Sequence, residues 1–473
     1  MKTTVLRASS ACFFALFASL GVACESSDGG SSGSPAPSPG SSSGGPDPVP
    51  VVTCAPVTGK GVTHTGDVKG NEVWSAADSP HIVTGNVSVR NSLTLTIEPC
   101  AEVRVAKGAN IQVAFPGTPN TGSLVAEGTA EQPIRIVGDG GARWASLSVH
   151  APGTARLAHV TLEGGGGGDF QEGATLGVYG DSEDGADALV FADHVTIVKS
   201  LGTGVLLTRG ASFVAGSRDL VVRESGSETN PYPLQIEEHA FDTLPTGKYT
   251  GNRIDEILVD PGGGRTAGSG LLADGTLHER GVPYHVGRSK GDSLRIGGRP
   301  DGQLVTLTIE PGVVMRFSEG AALAVQHVTN TKPSTAAIRA IGTAEKPIVF
   351  TSASSAPKAG DWQGLWFGGF PSATDKLDHV RIEYAGYDCG CILSTCSSIA
   401  EHEGAIIFTA QPPSAFVTNT VFANIAGHGI TQGYDGSFVD LRPTNAFENV
   451  TGCAQTRPRE STTTCPSPRP ACD

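Results

Sequence analysis

Apolar and polar residues alternate along this chain in short bursts. Leu93-Thr94-Leu95-Thr96-Ile97 puts apolar side chains on one side and threonine on the other, the period of a half-buried strand. Arg104 to Val113, Ile134 to Val137, Ser146 to Val149 and His159 to Leu162 are further strands predicted in the first half. Gly, Pro, Asn or Asp interrupts almost every gap, so the strands are joined by tight turns.

The pattern repeats. Leu95-Thr96-Ile97-Glu98-Pro99 recurs as Leu307-Thr308-Ile309-Glu310-Pro311, and Gly128-Thr129-Ala130-Glu131 with Pro133-Ile134 recurs as Gly342-Thr343-Ala344-Glu345 with Pro347-Ile348. Trp144 matches Trp362, and Leu157-Ala158-His159-Val160-Thr161-Leu162-Glu163 matches Leu377-Asp378-His379-Val380-Arg381-Ile382-Glu383. Gly202-Thr203-Gly204 then matches Gly427-His428-Gly429. The order is kept while the offset grows, which is duplication with small insertions in the second copy. Short uniform strands without a four-stranded blade signature favour a solenoid over a propeller or sandwich. The predicted class is all-β: a parallel β-helix of two tandem homologous modules, each coil stacking inward Val, Ile and Leu on those of its neighbours.

These runs resemble a family of bacterial surface lipoproteins of the right-handed parallel β-helix repeat type, within the pectate-lyase-like superfold. Tyr232-Pro233-Leu234 through Tyr249-Thr250-Gly251-Asn252 to Pro283-Tyr284-His285-Val286 is similar to that family's connector between copies. The resemblance spans roughly residues 70 to 452 and implies a right-handed helix, but no established chemistry. The predicted divisions are a lipoprotein signal peptide at 1–23, a Ser/Gly/Pro-rich disordered tether at 24–53, a first module with connector at 54–280, a second module at 281–452, and a Cys-containing cap or tail at 453–473.

Composition supports strands: Gly numbers 63, aromatic residues make up only 6% and Met occurs twice. Gly disfavours helix interiors by about 1 kcal/mol each. The formal charge of −14 argues against nucleic acid and anionic membrane surfaces as direct partners.

Lys2, Arg7 and the apolar run from Ala11 to Ala23 read as a leader peptide, too short to span a bilayer. Leu20-Gly21-Val22-Ala23-Cys24 resembles the bacterial lipobox, with its Leu one place early. That resemblance implies a lipid anchor on Cys24, membrane attachment through it, and a place in the cell envelope, at the outer membrane or cell surface. Simple secretion with cleavage after Ala23 is the competing reading. The Ser/Gly/Pro segment that follows has no core-forming residues and suits a spacer.

With Cys12 and Cys24 set aside, eight cysteines remain, an even number in an oxidising compartment. Cys54 and Cys100 are expected to pair. Cys389, Cys391, Cys396, Cys453, Cys465 and Cys472 belong to an insertion and the tail, and their pairing is open. The spacing of Cys389, Cys391 and Cys396 lacks a zinc-site pattern, so disulfides are the expected use.

Gly427-His428-Gly429 has Thr203 in place of His in the other copy, and the acids expected nearby are missing, so it reads as a coil corner with an exposed His. His159 with Glu163, and His379 with Glu383, sit at equivalent places and would each share a strand face; Glu172 and Glu403 precede matching Gly-Ala steps and are expected one coil away. A glycosidase carboxylate pair is conceivable from them, but presence in both copies favours a structural role. Gly164 to Gly168 and the acidic stretch Gly177 to Asp187 read as surface loops. No cofactor or metal set is predicted, isolated Ca²⁺ sites being the one class left open. Trp362 and Trp366 would share a strand face opposite Phe367, and are the candidates for stacking on sugar. The sequence favours a non-enzymatic structural, adhesive or polymer-binding envelope protein, with extracellular polysaccharide or an envelope polymer as partner. The alternative is a polysaccharide lyase or glycoside hydrolase on the same scaffold.

Overall fold

Among the described residues, every strand pairing in the computed structural model is parallel, except one isolated bridge near the C-terminus. It describes residues 51–116, 120–168, 173–181, 186–262, 270–299, 301–325, 334–387, 404–458 and 472. Cys24, Glu172, Glu403, Cys389, Cys391, Cys396 and Cys465 lie outside the described residues, as do the leader and nearly all of the tether. Pro50–Asp473 form one compact unit, and the fold is a parallel β-helix. Among the described residues no helix is long and apolar enough to cross a membrane.

Each coil of the first copy lays down up to three strands. A Thr-rich face stacks Glu72–Trp74, Leu93–Ile97, Gly122–Glu127, Thr154–Ala158, Asp187–Asp193 and Ala211–Phe213. An open face stacks Glu102–Val105, Ile134–Gly138, Val160–Glu163, Thr196–Val198, Leu220–Arg223 and Gly247–Lys248. A third face stacks Ile111–Val113, Leu147–His150, Leu176–Tyr179, Val205–Thr208 and Leu234–Ile236. The core is columns of identical positions: Val103, Ile136, Leu162, Ile197 and Val222 lie in register on successive coils, each fully buried. On the third face the outward Ser148, Leu206 and Gln235 are buried too, so that face is covered.

Single residues in the left-handed conformation make many of the corners: His159 (φ 47), His194 (φ 54), Asp219 (φ 54), His379 (φ 51) and Asn419 (φ 49). This breaks the predicted strand through His159, because a left-handed residue turns the chain where an extended one would continue it. The two copies repeat such details. Trp144 Nε1 donates to Glu163 O at 2.8 Å, and Trp362 Nε1 to Glu383 O at 2.7 Å. At Gly342 a Cβ would lie 2.5 Å from His379 O, so the repeated Gly-Thr-Ala-Glu turn needs glycine for a close backbone approach.

The copies are not stacked face for face. Val314–Phe317 follows the repeated Leu-Thr-Ile strand just as Glu102–Val105 does in the first copy. Yet it continues the column of Leu234–Ile236, Ile257–Val259 and Tyr284–Val286, the covered face of the first copy. The second sequence pattern therefore begins one face out of phase.

Two stretches read as surface loops differ. Gly165 and Gly166 are buried, with Gly166 N and Gly167 N donating to Ala145 O and Trp144 O. The glycine run lies flat against the Trp144 segment. Gly177 lies within the strand Leu176–Tyr179, and Asp187 opens the strand Asp187–Asp193.

Asp375 is buried and accepts Ile338 N–H at 2.8 Å and Ser372 N–H at 2.7 Å. Burial pushes its carboxyl up to about 7 against the pull of those two amides. A raised folded-state value means the native chain holds this proton more tightly than the unfolded one. The contribution is complete below about pH 4 and is lost as pH rises through 7. Urea denaturation should therefore show wild type losing on the order of 3–4 kcal/mol relative to Asp375→Asn between pH 4 and 8. A constant difference across that window would contradict the assignment.

Candidate functional site

The acid–base candidates are tied into corner structure. Glu163 takes an ion pair from Lys199 at 2.8 Å, and this hydrogen bond holds its carboxyl below the usual range. Glu383 is bound by Arg381 and accepts Thr351 Oγ1 at 3.1 Å. His159 stacks on His194 with ring centroids 4.6 Å apart, and His379 Nδ1 lies 3.0 Å from Asp378. Each His sits at the corner before the strand carrying its Glu, so the two do not share a strand face.

Trp362 and Trp366 also part company. Trp362 is fully buried, stacked on Phe317 at 4.2 Å, and precedes the strand Gly364–Phe367. Trp366, inside that strand, points away from the core and is half-buried, while Phe367 faces inward. Gly364, at φ 115, interrupts the extended backbone between them, which breaks the strand alternation that would have aligned the two indoles. His428 is buried at the start of the strand His428–Gln432, its Nδ1 accepting Cys453 N–H at 2.9 Å. It is not an exposed corner, because the cap segment closes over it.

Asp193, His194 and Asp219 present ligand atoms within 4.8 Å of one another. Arg218 already grips Asp193 with two bonds of 3.0 and 2.9 Å, so this group is largely charge-balanced without a cation. Two disulfides are present among the described residues, Cys54–Cys100 and Cys453–Cys472.

A polar cluster lies where the second sequence repeat begins, on the column that changes from covered to open. His285 points outward from Tyr284–Val286. Its Nδ1 is 2.9 Å from Glu256 Oε2 on the preceding coil, and its Nε2 is 3.0 Å from Ser318 Oγ on the following one. Tyr232 Oη lies 3.2 Å from the same Nδ1. Arg316, in register with His285, reaches back to Glu256. Burial works to raise the Glu256 carboxyl, but the hydrogen bond from His285 and the charge of Arg316 outweigh it and hold it below its ordinary value. Burial pushes the Tyr232 phenol up to about 12, with the Glu256 charge adding to it. Sequence reasoning missed Glu256, His285 and Ser318. A signal was present: the aligned first-copy residues are Ile82 for His285 and Ala106 for Ser318, so the cluster is not part of the repeat.

The family profile described as "Pectate-lyase like beta helix domain" matches residues 302–376, the first coils of the second copy. No curated protein and no solved structure matches the chain.

Proposed function

We propose that this chain is an exported cell-envelope protein, anchored by lipid on Cys24 at the outer membrane or cell surface, whose β-helix binds or adheres to a polymer without cleaving it. The observation that carries this is polar columns on the Thr-rich face: Thr94, Ser123 and Thr154 lie in register on the earlier coils, and Thr308, Arg339 and Lys376 lie in register on the later ones. Coils rise by about 4.8 Å, so an extended glycan along such a column would meet hydroxyl and cationic groups at a fixed interval. Glu163 is held by Lys199 of the next coil and Glu383 by Arg381 of its own strand, which supports a structural role for both.

Two measurements test it. Alkynyl fatty acid should label the wild type in its native host and not Cys24→Ser; label that survives the substitution removes the anchor. On a glycan array the purified chain should retain a neutral or acidic polysaccharide, Arg339→Ala with Lys376→Ala should weaken retention about tenfold, and no oligosaccharide should be released. Turnover abolished by Glu383→Gln would replace this proposal with a polysaccharide-cleaving enzyme.

A further inference from the structure

Ser318, His285 and Glu256 stand on three successive coils in the order nucleophile, base, carboxylate. We propose that they form a catalytic triad in which Ser318 attacks small activated acyl esters, His285 is its base and Glu256 is a positioning residue. This does not depend on the polymer-binding proposal.

A serine is a weak nucleophile unless a base within about 3.2 Å takes its proton, and that base works when a third group fixes its tautomer. Here both links are in reach, at 3.0 and 2.9 Å. An ionised Glu256 accepts the Nδ1 proton, leaving Nε2 as the acceptor that faces Ser318. The Ser318 hydroxyl also has Gly287 O at 2.7 Å, so a rotation about its C–O bond moves the proton from a resting carbonyl acceptor to the imidazole.

The Trp-to-carbonyl bonds recur in both copies, as structural devices do. The triad does not recur. Arg316 shows the same divergence: its counterpart Arg104 pairs with Glu102 on its own strand, whereas Arg316 has Val314 at that place and turns to Glu256.

The reaction balances within these residues and water. Ser318 Oγ bonds to the carbonyl carbon as its proton passes to His285 Nε2. The tetrahedral intermediate expels the alcohol, which takes that proton, and leaves an acyl-serine. Water then attacks with the same base, releases the acid and restores the hydroxyl.

The backbone sets the substrate class. Ser318 N donates to Val286 O, and Gly287 N to Val259 O, so these neighbouring amides are spent in the ladder and not aimed at an oxyanion. One missing oxyanion donor costs about 10²–10³ in rate. The site thus suits activated esters with good leaving groups, and amide turnover is not expected.

The test is a fluorophosphonate probe on the full chain, with the adduct located by peptide mass mapping. Wild type should carry one adduct, on Ser318. His285→Gln should slow its formation by about 10²-fold or more. Glu256→Gln should slow it, with labelling largely restored in Glu256→Asp, all with circular-dichroism melts within a few degrees of wild type. p-Nitrophenyl acetate should give a burst of one equivalent that Ser318→Ala lacks. Folded wild-type protein that takes no adduct, an adduct mapped to another residue, or an unchanged rate in His285→Gln each overturns the proposal without touching polymer binding.

Discussion

Trp362→Ala should destabilise the second copy by about 3–5 kcal/mol, the range for deleting a buried aromatic side chain. The side chain is fully buried, stacks face to face on Phe317, and donates its indole N–H to Glu383 O at 2.7 Å. Alanine removes the apolar surface, leaves a cavity beneath Phe317 and strips the donor from that carbonyl. Trp362→Phe should keep most of the packing and lose only the hydrogen bond, at about 1–2 kcal/mol. Because coils contact mainly their neighbours, the loss should stay local. Hydrogen exchange should accelerate first in Val314–Phe317, Ile348–Ser352 and Val380–Glu383. Trp144→Ala should reproduce the loss around Val160–Glu163. A Trp362→Ala protein within about 1 kcal/mol of wild type in urea would mean that Trp362 is not a core anchor.

Cys54→Ser with Cys100→Ser should cost about 4 kcal/mol in the chain-entropy model, since the bond closes a loop with a sequence separation of 46. Cys453→Ser with Cys472→Ser, separation 19, should cost about 3. Few other bonds hold the N-terminal segment: Thr53 N donates to Glu131 O at 2.8 Å, and Val62 N to Pro80 O at 3.0 Å. The segment is mostly exposed before residue 62, so the bond to Cys100 is its main tie to the coils. Limited proteolysis of the double variant should cut ahead of Val62 while the coils beyond Cys100 resist. Equal melting temperatures and equal cleavage patterns for variant and wild type would show that the bond contributes nothing.

Much of this molecule was legible from local pattern. A period of two with small turn residues dictates half-buried strands. Matched motifs such as Leu-Thr-Ile-Glu-Pro mark equivalent strands, and stacking is the way such short strands bury their apolar side. The pairing of Cys54 with Cys100 needed only their isolation from the other cysteines. Strand alternation failed at corners: it aligned His159 with Glu163 and Trp362 with Trp366, whereas His159 is itself left-handed and the positive φ of Gly364 re-aims the chain between the two indoles. That conformation costs only about 1–2 kcal/mol, and contacts with the next coil, not the local sequence, decide where it is adopted.

The sequence by itself therefore determined the strands, the repeat and the β-helix they build. The tertiary structure decided which residues meet across coils. Glu256, His285 and Ser318 come together because Ile257 stacks under Tyr284 and Tyr284 under Met315. The spacing between stacked positions varies from coil to coil with the loops, so no sequence period brings them into line. The second copy's entry one face out of phase has the same origin. Register between coils is fixed by inward packing, which joins residues far apart along the chain and leaves no local mark.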